Sequence, residues 1–178
     1  MKPGVYKRPA KPLQVAVKAR RDFANVEIAS GPEIVAVDKF TECHVTPPDV
    51  AVRMVRYLGD VGDYLTLEPS AGTGNLSRAL IESGHSPCEL VQVERHVGLL
   101  RHLYRFGTVI HRCFLGYSAE VRGRVEFPRI IMNPPFSEAR KHVAAARDLM
   151  GSHGHVEAPT LVALVPVTFQ AEDMETLE

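Results

Sequence analysis

Hydrophobic and polar positions along this chain switch between a strand period and a helix period, and the switches divide it into elements. Three short apolar runs near the N-terminus, "LQVAV" (13–17), "VEIA" (26–29) and "IVAV" (34–37), predict strands. The last two flank Ser30-Gly31-Pro32-Glu33, a suitable hairpin connection, so a β-hairpin extension is expected over 23–40. In "TPPDVAVRMVRYLG" (46–59), Ala51, Met54, Val55 and Leu58 recur at helical spacing. Thr46 is placed to cap this helix, Pro47 and Pro48 fit a first turn, Asp49 would close a capping box, and Gly59 ends it.

From residue 64 strand and helix patterns take turns. "YLTLE" (64–68), "ELVQVE" (89–94), "TVIHRCF" (108–114), "RIIM" (129–132) and the continuously apolar "TLVALVPVTF" (160–169) are expected strands. Between them come "LSRALIESG" (76–84), a helix carrying Leu99, Leu103 and Phe106 that stops at Gly107, and one opened by Ser137. This last helix sets Ala139, Val143, Ala146 and Met150 on one face and stops at Gly151. Such alternation implies an α/β fold, a mostly parallel sheet with helices on both faces.

Composition adds three constraints. A length of 178 residues suits one domain able to bury a core without staples. Cys43, Cys88 and Cys113 are far apart and lack metal spacing, so neither a disulfide framework nor a metal site is expected, and a reducing cytoplasm is. Apolar stretches are of strand length, so no membrane span is expected.

Net charge is zero, but its distribution is uneven. Lys2, Lys7, Arg8, Lys11, Lys18, Arg20 and Arg21 precede the first acidic residue, and Pro3, Pro9 and Pro12 keep the start extended, giving a basic arm over 1–22. Arg95, Arg101, Arg105, Arg112, Arg122, Arg124 and Arg129 form a second basic stretch, broken only by Glu120 and Glu126. Each run reads either as a solvated face or as a phosphate-facing surface.

Two stretches carry chemistry. In "LEPSAGTGNLSRAL" (67–80) a strand ending in Glu68 enters a loop, Pro69-Ser70-Ala71-Gly72-Thr73-Gly74. Gly72 and Gly74 can adopt positive φ and bring bare backbone against a ligand, and Asn75 can cap the next helix. Alone this is either a nucleotide-cofactor loop or a tight turn. Glu94, ending the next strand, stands where a carboxylate would accept both hydroxyls of a ribose, or where any strand-end acid meets solvent. The second stretch is "IIMNPPF" (130–136): Pro134 and Pro135 lack amide donors and fix φ, so the strand must stop at Asn133, holding a polar amide and an aromatic at a strand's tip.

Thr46-Pro47-Pro48, Glu68 to Gly74, Glu94 and Asn133-Pro134-Pro135-Phe136, in that order, resemble the motifs of S-adenosylmethionine-dependent amino-methyltransferases. The resemblance covers roughly residues 40–169 and is nearest to DNA adenine N6-methyltransferases of phage and prophage type. It implies a Rossmann-like methyltransferase domain over 41–178, with S-adenosylmethionine as cofactor and DNA as partner. Asn-Pro-Pro-aromatic also serves RNA and protein glutamine amides, so these acceptors stay open, as does a cofactor-binding remnant without turnover.

By the same resemblance, Thr46 and Pro47 lie near the methionine carboxylate, the loop of Glu68, Pro69, Ser70, Ala71, Gly72 and Gly74 with Asn75 lies beneath methionine and ribose, and Glu94 takes the ribose hydroxyls. Asn133 and Pro134 would accept hydrogen bonds from the target amine, Pro135 would hold the turn rigid, and Phe136 would stack on the flipped base. "HRCFLG" (111–116) departs from the pattern: where relatives commonly place an aspartate for the cofactor's adenine, Cys113 is a weak acceptor, and Phe114 remains to stack or to fill the core. The relatives also continue beyond the last strand. Either the C-terminal end is truncated, or the N-terminal strands cover the exposed sheet edge, through a homo-oligomer if a partner chain supplies them.

Overall fold

The computed structural model describes the strands β1 (Gln14–Val17) and β2 (Glu33–Ala36) and the continuous stretch of residues 45–169. β1 and β2 pair antiparallel with each other, Val15 opposite Val35, and form a two-stranded sheet of their own. The 34–37 run thus partners 14–17; the run at 26–29 and the rest of the basic arm lie outside the described residues. Within this chain neither strand hydrogen-bonds to the main sheet.

The main sheet has five parallel strands: β3 (Thr66–Pro69), β4 (Leu90–Glu94), β5 (Thr108–His111), β6 (Arg129–Met132) and β7 (Thr160–Ala163). Their spatial order is β5-β4-β3-β6-β7. The chain builds outward from β3 through β4 to β5, then returns to the other side of β3 with β6. The order therefore reverses between β3 and β6, and in open α/β sheets the crevice at the carboxyl ends of such a strand pair is where ligands bind.

Five helices cover the two faces: α1 (Pro48–Leu58), α2 (Asn75–Glu82), α3 (Val97–Leu103), α4 (Phe114–Val121) and α5 (Ala139–Arg147). Successive strand residues point to opposite faces, so the adjacent Ile130 and Ile131, both fully buried, feed different cores. Ile131 packs with Ala51, Met54, Val55 and Leu58 of α1 and with Leu76 and Leu80 of α2. Ile130 and Met132 pack with Phe114 and Tyr117 of α4, Val143 and Ala146 of α5, and Phe127. Each large side chain so buried contributes roughly 1.5–3 kcal/mol.

Several element ends differ from the sequence expectations. α1 is capped at Pro47 with no side-chain cap bond, so neither Thr46 nor Asp49 caps it; Thr46 sits one residue too early and its side chain turns to Asn133 instead. α2 is capped by Gly74 at φ 75°, and Asn75, its first residue, donates to the Thr46 carbonyl at 2.7 Å rather than capping. The segment 108–114 is strand only to His111, because Phe114 opens α4. Gly116 inside α4 masked its helical pattern.

β7 ends at Ala163, with one further bond from the Leu164 amide to Met132 (2.9 Å) before Pro166 begins a turn. α3 ends at Leu103, and Phe106 follows in a turn closed by its amide on the Leu103 carbonyl. Ser137 does not cap α5; it lies in a short 3-10 turn, Phe136–Glu138, that precedes the helix.

The second basic stretch is not one open row of cations. Arg129 is internal: its side chain is 6% exposed, lies 4.1 Å over the Tyr64 ring and pairs with Glu157 at 2.8 Å. Arg112 pairs with Glu120, and Arg122 with Asp148 at 3.2 Å. Among the described residues no helix is long and apolar enough to cross a membrane, and no three His, Cys, Asp or Glu converge as a metal site requires.

Candidate functional site

At the carboxyl ends of β3, β4, β5 and β6 lies a cleft of about 870 Å³, counting its open mouth. β3 delivers Glu68 and the loop Ser70, Ala71, Gly72 and Thr73 to its floor, and Asn75 and Leu76 start α2 beneath it. β4 contributes Glu94 and Arg95, the loop after β5 contributes Arg112, Cys113 and Phe114, and the turn after β6 contributes Asn133 and Pro135. Thr46 closes the side nearest α1. The structure thus brings most of the residues singled out in the sequence to one wall-to-wall site.

The remaining ones stand behind it or beside it. Pro47, Pro69, Pro134 and Gly74 do not line the cleft. Gly74 is required by packing: a Cβ there would lie 2.9 Å from Leu103 Cδ2 and 3.0 Å from Phe106 Cε2. Phe136 faces an adjoining hollow, shared with Arg140, Lys141 and Phe169.

The glycine loop is held by charge and backbone together. Glu94 accepts from the Gly72 amide and the His96 amide, each at 2.7 Å, so both carboxylate oxygens fasten backbone. The Ala71 amide reaches the Val93 carbonyl at 3.0 Å, a second tie between loop and β4. Ser70 takes φ 58°, a left-handed conformation unusual for serine, and Gly72 takes the same value. Such backbone persists where surrounding bonds over-determine it, and here those bonds fix the shape of the cleft floor.

Behind the floor, Glu68 is 1% exposed. Burial pushes its carboxyl up to about 8, with the Glu94 charge adding and the Ser77 hydrogen bond opposing. The surrounding bonds agree with a protonated acid. Gln92 Nε2 donates to the Leu103 carbonyl at 3.2 Å, which points Gln92 Oε1 at Ser77, 2.6 Å away. Ser77 Oγ also contacts Glu68 Oε2. A serine has one proton to donate, so with Glu68 protonated its O–H serves Ser77 and Ser77 serves Gln92, satisfying every member of a buried chain.

Across the cleft, Asn133 Nδ2 donates to Thr46 Oγ1 at 2.9 Å. Because the Thr46 carbonyl also holds Asn75, this one residue ties the tip of β6 to the start of α2. Thr46 is 4% exposed, so the tie is sheltered from water. Cys113 is exposed at the cap position of α4 and caps nothing with its side chain. Phe114 is 2% exposed and packs in the core with its ring centroid 5.6 Å from that of His142.

Sequence reasoning missed Arg95, Arg112, Thr73, Ser137, Glu138 and His142 as lining residues. Arg95 and Arg112 follow strand ends directly, so the strand-end rule would have found them. His142 is brought in by the packing of α5 against α4, which no local pattern announces. Its burial lowers the imidazole pKa, as do Arg95 and Lys141, while Glu138 opposes them.

No protein-family model matches the chain, and no curated protein matches it by sequence. Solved structures do match in three dimensions. SMU.776, a proposed methyltransferase crystallised with SAH, superposes with TM-score 0.52 at 13% identity over 72% of this chain and 38% of that one. A proposed RNA methyltransferase, PH1948 from Pyrococcus horikoshii, gives 0.54 at 21% identity, covering 75% and 66%. Precorrin 8w decarboxylase from Methanobacterium thermoautotrophicum gives 0.51 at 11%, covering 75% and 69%. At these identities the likeness is one of fold: the chain has the Rossmann-like fold of these proteins, and spans 38% of the length of SMU.776.

Proposed function

We propose that the cleft binds S-adenosylmethionine and that the protein transfers its methyl group to the exocyclic amine of adenine in DNA. The observation that carries this reading is that the Asn133 amide, fixed by Thr46, and the glycine loop, fixed by Glu94, open onto the same cleft. The residues present fit the cofactor. The Glu94 carboxylate lies on the floor for a polar ribose, and a buried imidazole nitrogen of His142 has no hydrogen-bond partner. When bound, the cofactor supplies an electrophilic methyl on a sulfonium.

The chain's own residues then have the task of activating a poor nucleophile, since an exocyclic aromatic amine delocalises its lone pair into the ring. With its nitrogen held by Thr46, Asn133 presents its oxygen as the acceptor for an amine hydrogen. This acceptor draws the amine toward tetrahedral geometry and favours the positive charge that develops on it.

The hollow lined by Phe136 and Phe169 suits a planar base, and Arg140 and Lys141, the latter paired with Glu138 at 3.0 Å, put positive charge on its rim. These features favour a nucleic acid over a protein amide. Incubation with methyl-labelled cofactor and, separately, duplex DNA, total RNA and protein extract tests the proposal. Label recovered as N6-methyladenine from DNA supports it, label in RNA or protein alone replaces the acceptor, and SAH binding with no transfer to any acceptor leaves a cofactor-binding remnant.

A further inference from the structure

The end of the cleft nearest β5 is where the sequence offers least to a ligand. Cys113 stands there with a thiol, and the Phe114 ring is committed to the core. One polar group at this end remains unused by the fold. His142, 5% exposed, lines the cleft beside Phe114, and its Nδ1 is buried with no hydrogen-bond partner. A buried polar atom without a partner is costly, and native structures keep one only where something else satisfies it.

The chemistry of that something is narrow. With the proton on Nε2, Nδ1 is an acceptor on a ring that lines the cleft beside Phe114. The group it complements is an N–H donor on a flat ring. An ammonium would suit a carboxylate better, and an anion would find no donor at Nδ1. The rim charges, Glu138, Arg95 and Lys141, have effects of both signs on the ring, and burial is the largest influence, favouring the neutral imidazole that can accept.

Resting on the cofactor reading above, we propose that His142 is the residue that recognises the adenine amine of the cofactor, selecting a 6-amino purine over a 6-oxo purine. A 6-oxo base turns an acceptor oxygen toward Nδ1 and requires the other tautomer, whose proton would then have to be held away from Nε2. The two bases are alike in size and stacking and differ at the 6-position and at N1, so it is substitution of His142 that assigns the discrimination to this contact.

Isothermal titration with S-adenosylhomocysteine and with its deaminated analogue, S-inosylhomocysteine, measures this directly, without turnover. Wild type is expected to bind the adenosyl ligand about 10-fold more tightly, the worth of one buried hydrogen bond. His142→Phe should lose most of that preference by weakening the adenosyl ligand alone. His142→Asn, which sets an amide oxygen close to the position of Nδ1, should keep it. Thermal melting checks that each variant is folded, and His142→Leu replaces the phenylalanine variant if that one is not.

Equal affinities in wild type, or a preference unchanged in His142→Phe, would overturn the assignment while leaving the cofactor reading intact. If wild type binds neither ligand, both fall.

Discussion

Thr46 and Asn133, 87 residues apart, are joined by a hydrogen bond of 2.9 Å from the asparagine amide nitrogen to the threonine hydroxyl. A hydroxyl can accept or donate, so the bond fixes where the amide sits, and in this arrangement it is Nδ2 that faces Thr46. With Nδ2 spent on Thr46, the end left to meet an acceptor amine is the oxygen, as the proposed chemistry demands. Thr46→Val is isosteric and removes only the hydroxyl, so the Asn133 amide loses its orientation. The expected result is a fall in kcat of about 10- to 100-fold, typical of a reacting group displaced by an ångström or so. SAH affinity should stay within about 3-fold, because the Thr46 carbonyl that holds Asn75 is untouched. Thr46→Ser should restore activity, whereas a purely structural role would show as equal loss of stability and activity.

Glu94 offers a second separation. Both its oxygens receive backbone amides, from Gly72 and His96. Glu94→Gln replaces one acceptor with an NH2 facing an N–H, setting donor against donor. The glycine loop then loosens, and SAH affinity measured by calorimetry should drop about 10- to 100-fold. An unchanged affinity would show that the loop holds its shape without this clamp.

Glu68 predicts a pH dependence. Its carboxyl is pushed from 4.5 up to about 8 in the folded protein. Through the window between those values the folded state keeps a proton that the unfolded chain has released, so stability declines as pH rises. The contribution is fully present below 4.5 and is lost as pH passes through about 8. The melting temperature should therefore fall between about pH 5 and pH 9, by several degrees for a domain this size. Glu68→Gln, with an amide to donate to Ser77, should flatten that slope. A slope equally steep in the variant would place its origin in another group.

The architecture was legible wherever a short element is buried on both sides or carries one apolar stripe. β6 reads as Ile130, Ile131 and Met132 because both sheet faces are covered, and α1 shows its buried stripe in four residues. α4 was not legible: it begins three residues after β5 ends and holds Gly116, so its apolar residues read as a continuation of the strand. The local parts of the site, the glycine bend and the Asn-Pro-Pro turn, were visible because proline and glycine constrain backbone wherever they stand. The ties that orient them were not. Thr46 reads as a helix cap in the sequence, and only tertiary proximity shows that it holds Asn133 and that Glu94 fastens the loop.

Gly74 separates backbone necessity from ligand contact most sharply. It resembles a ligand-facing glycine in the sequence, yet the position a Cβ would take points at Leu103 Cδ2, 2.9 Å away, and at Phe106, not into the cleft. Its φ of 75° adds left-handed strain for any other residue. Gly74→Ala therefore combines a strain of roughly 1–2 kcal/mol with overpacking of roughly 1–3 kcal/mol. Urea denaturation should show a loss of about 2–5 kcal/mol, the two effects together. SAH affinity of the folded fraction should change little, in contrast to Gly72→Ala, which alters the cleft floor itself at φ 58°. A Gly74→Ala protein of normal stability that fails to bind SAH would reverse this assignment and put the Gly74 backbone against the ligand.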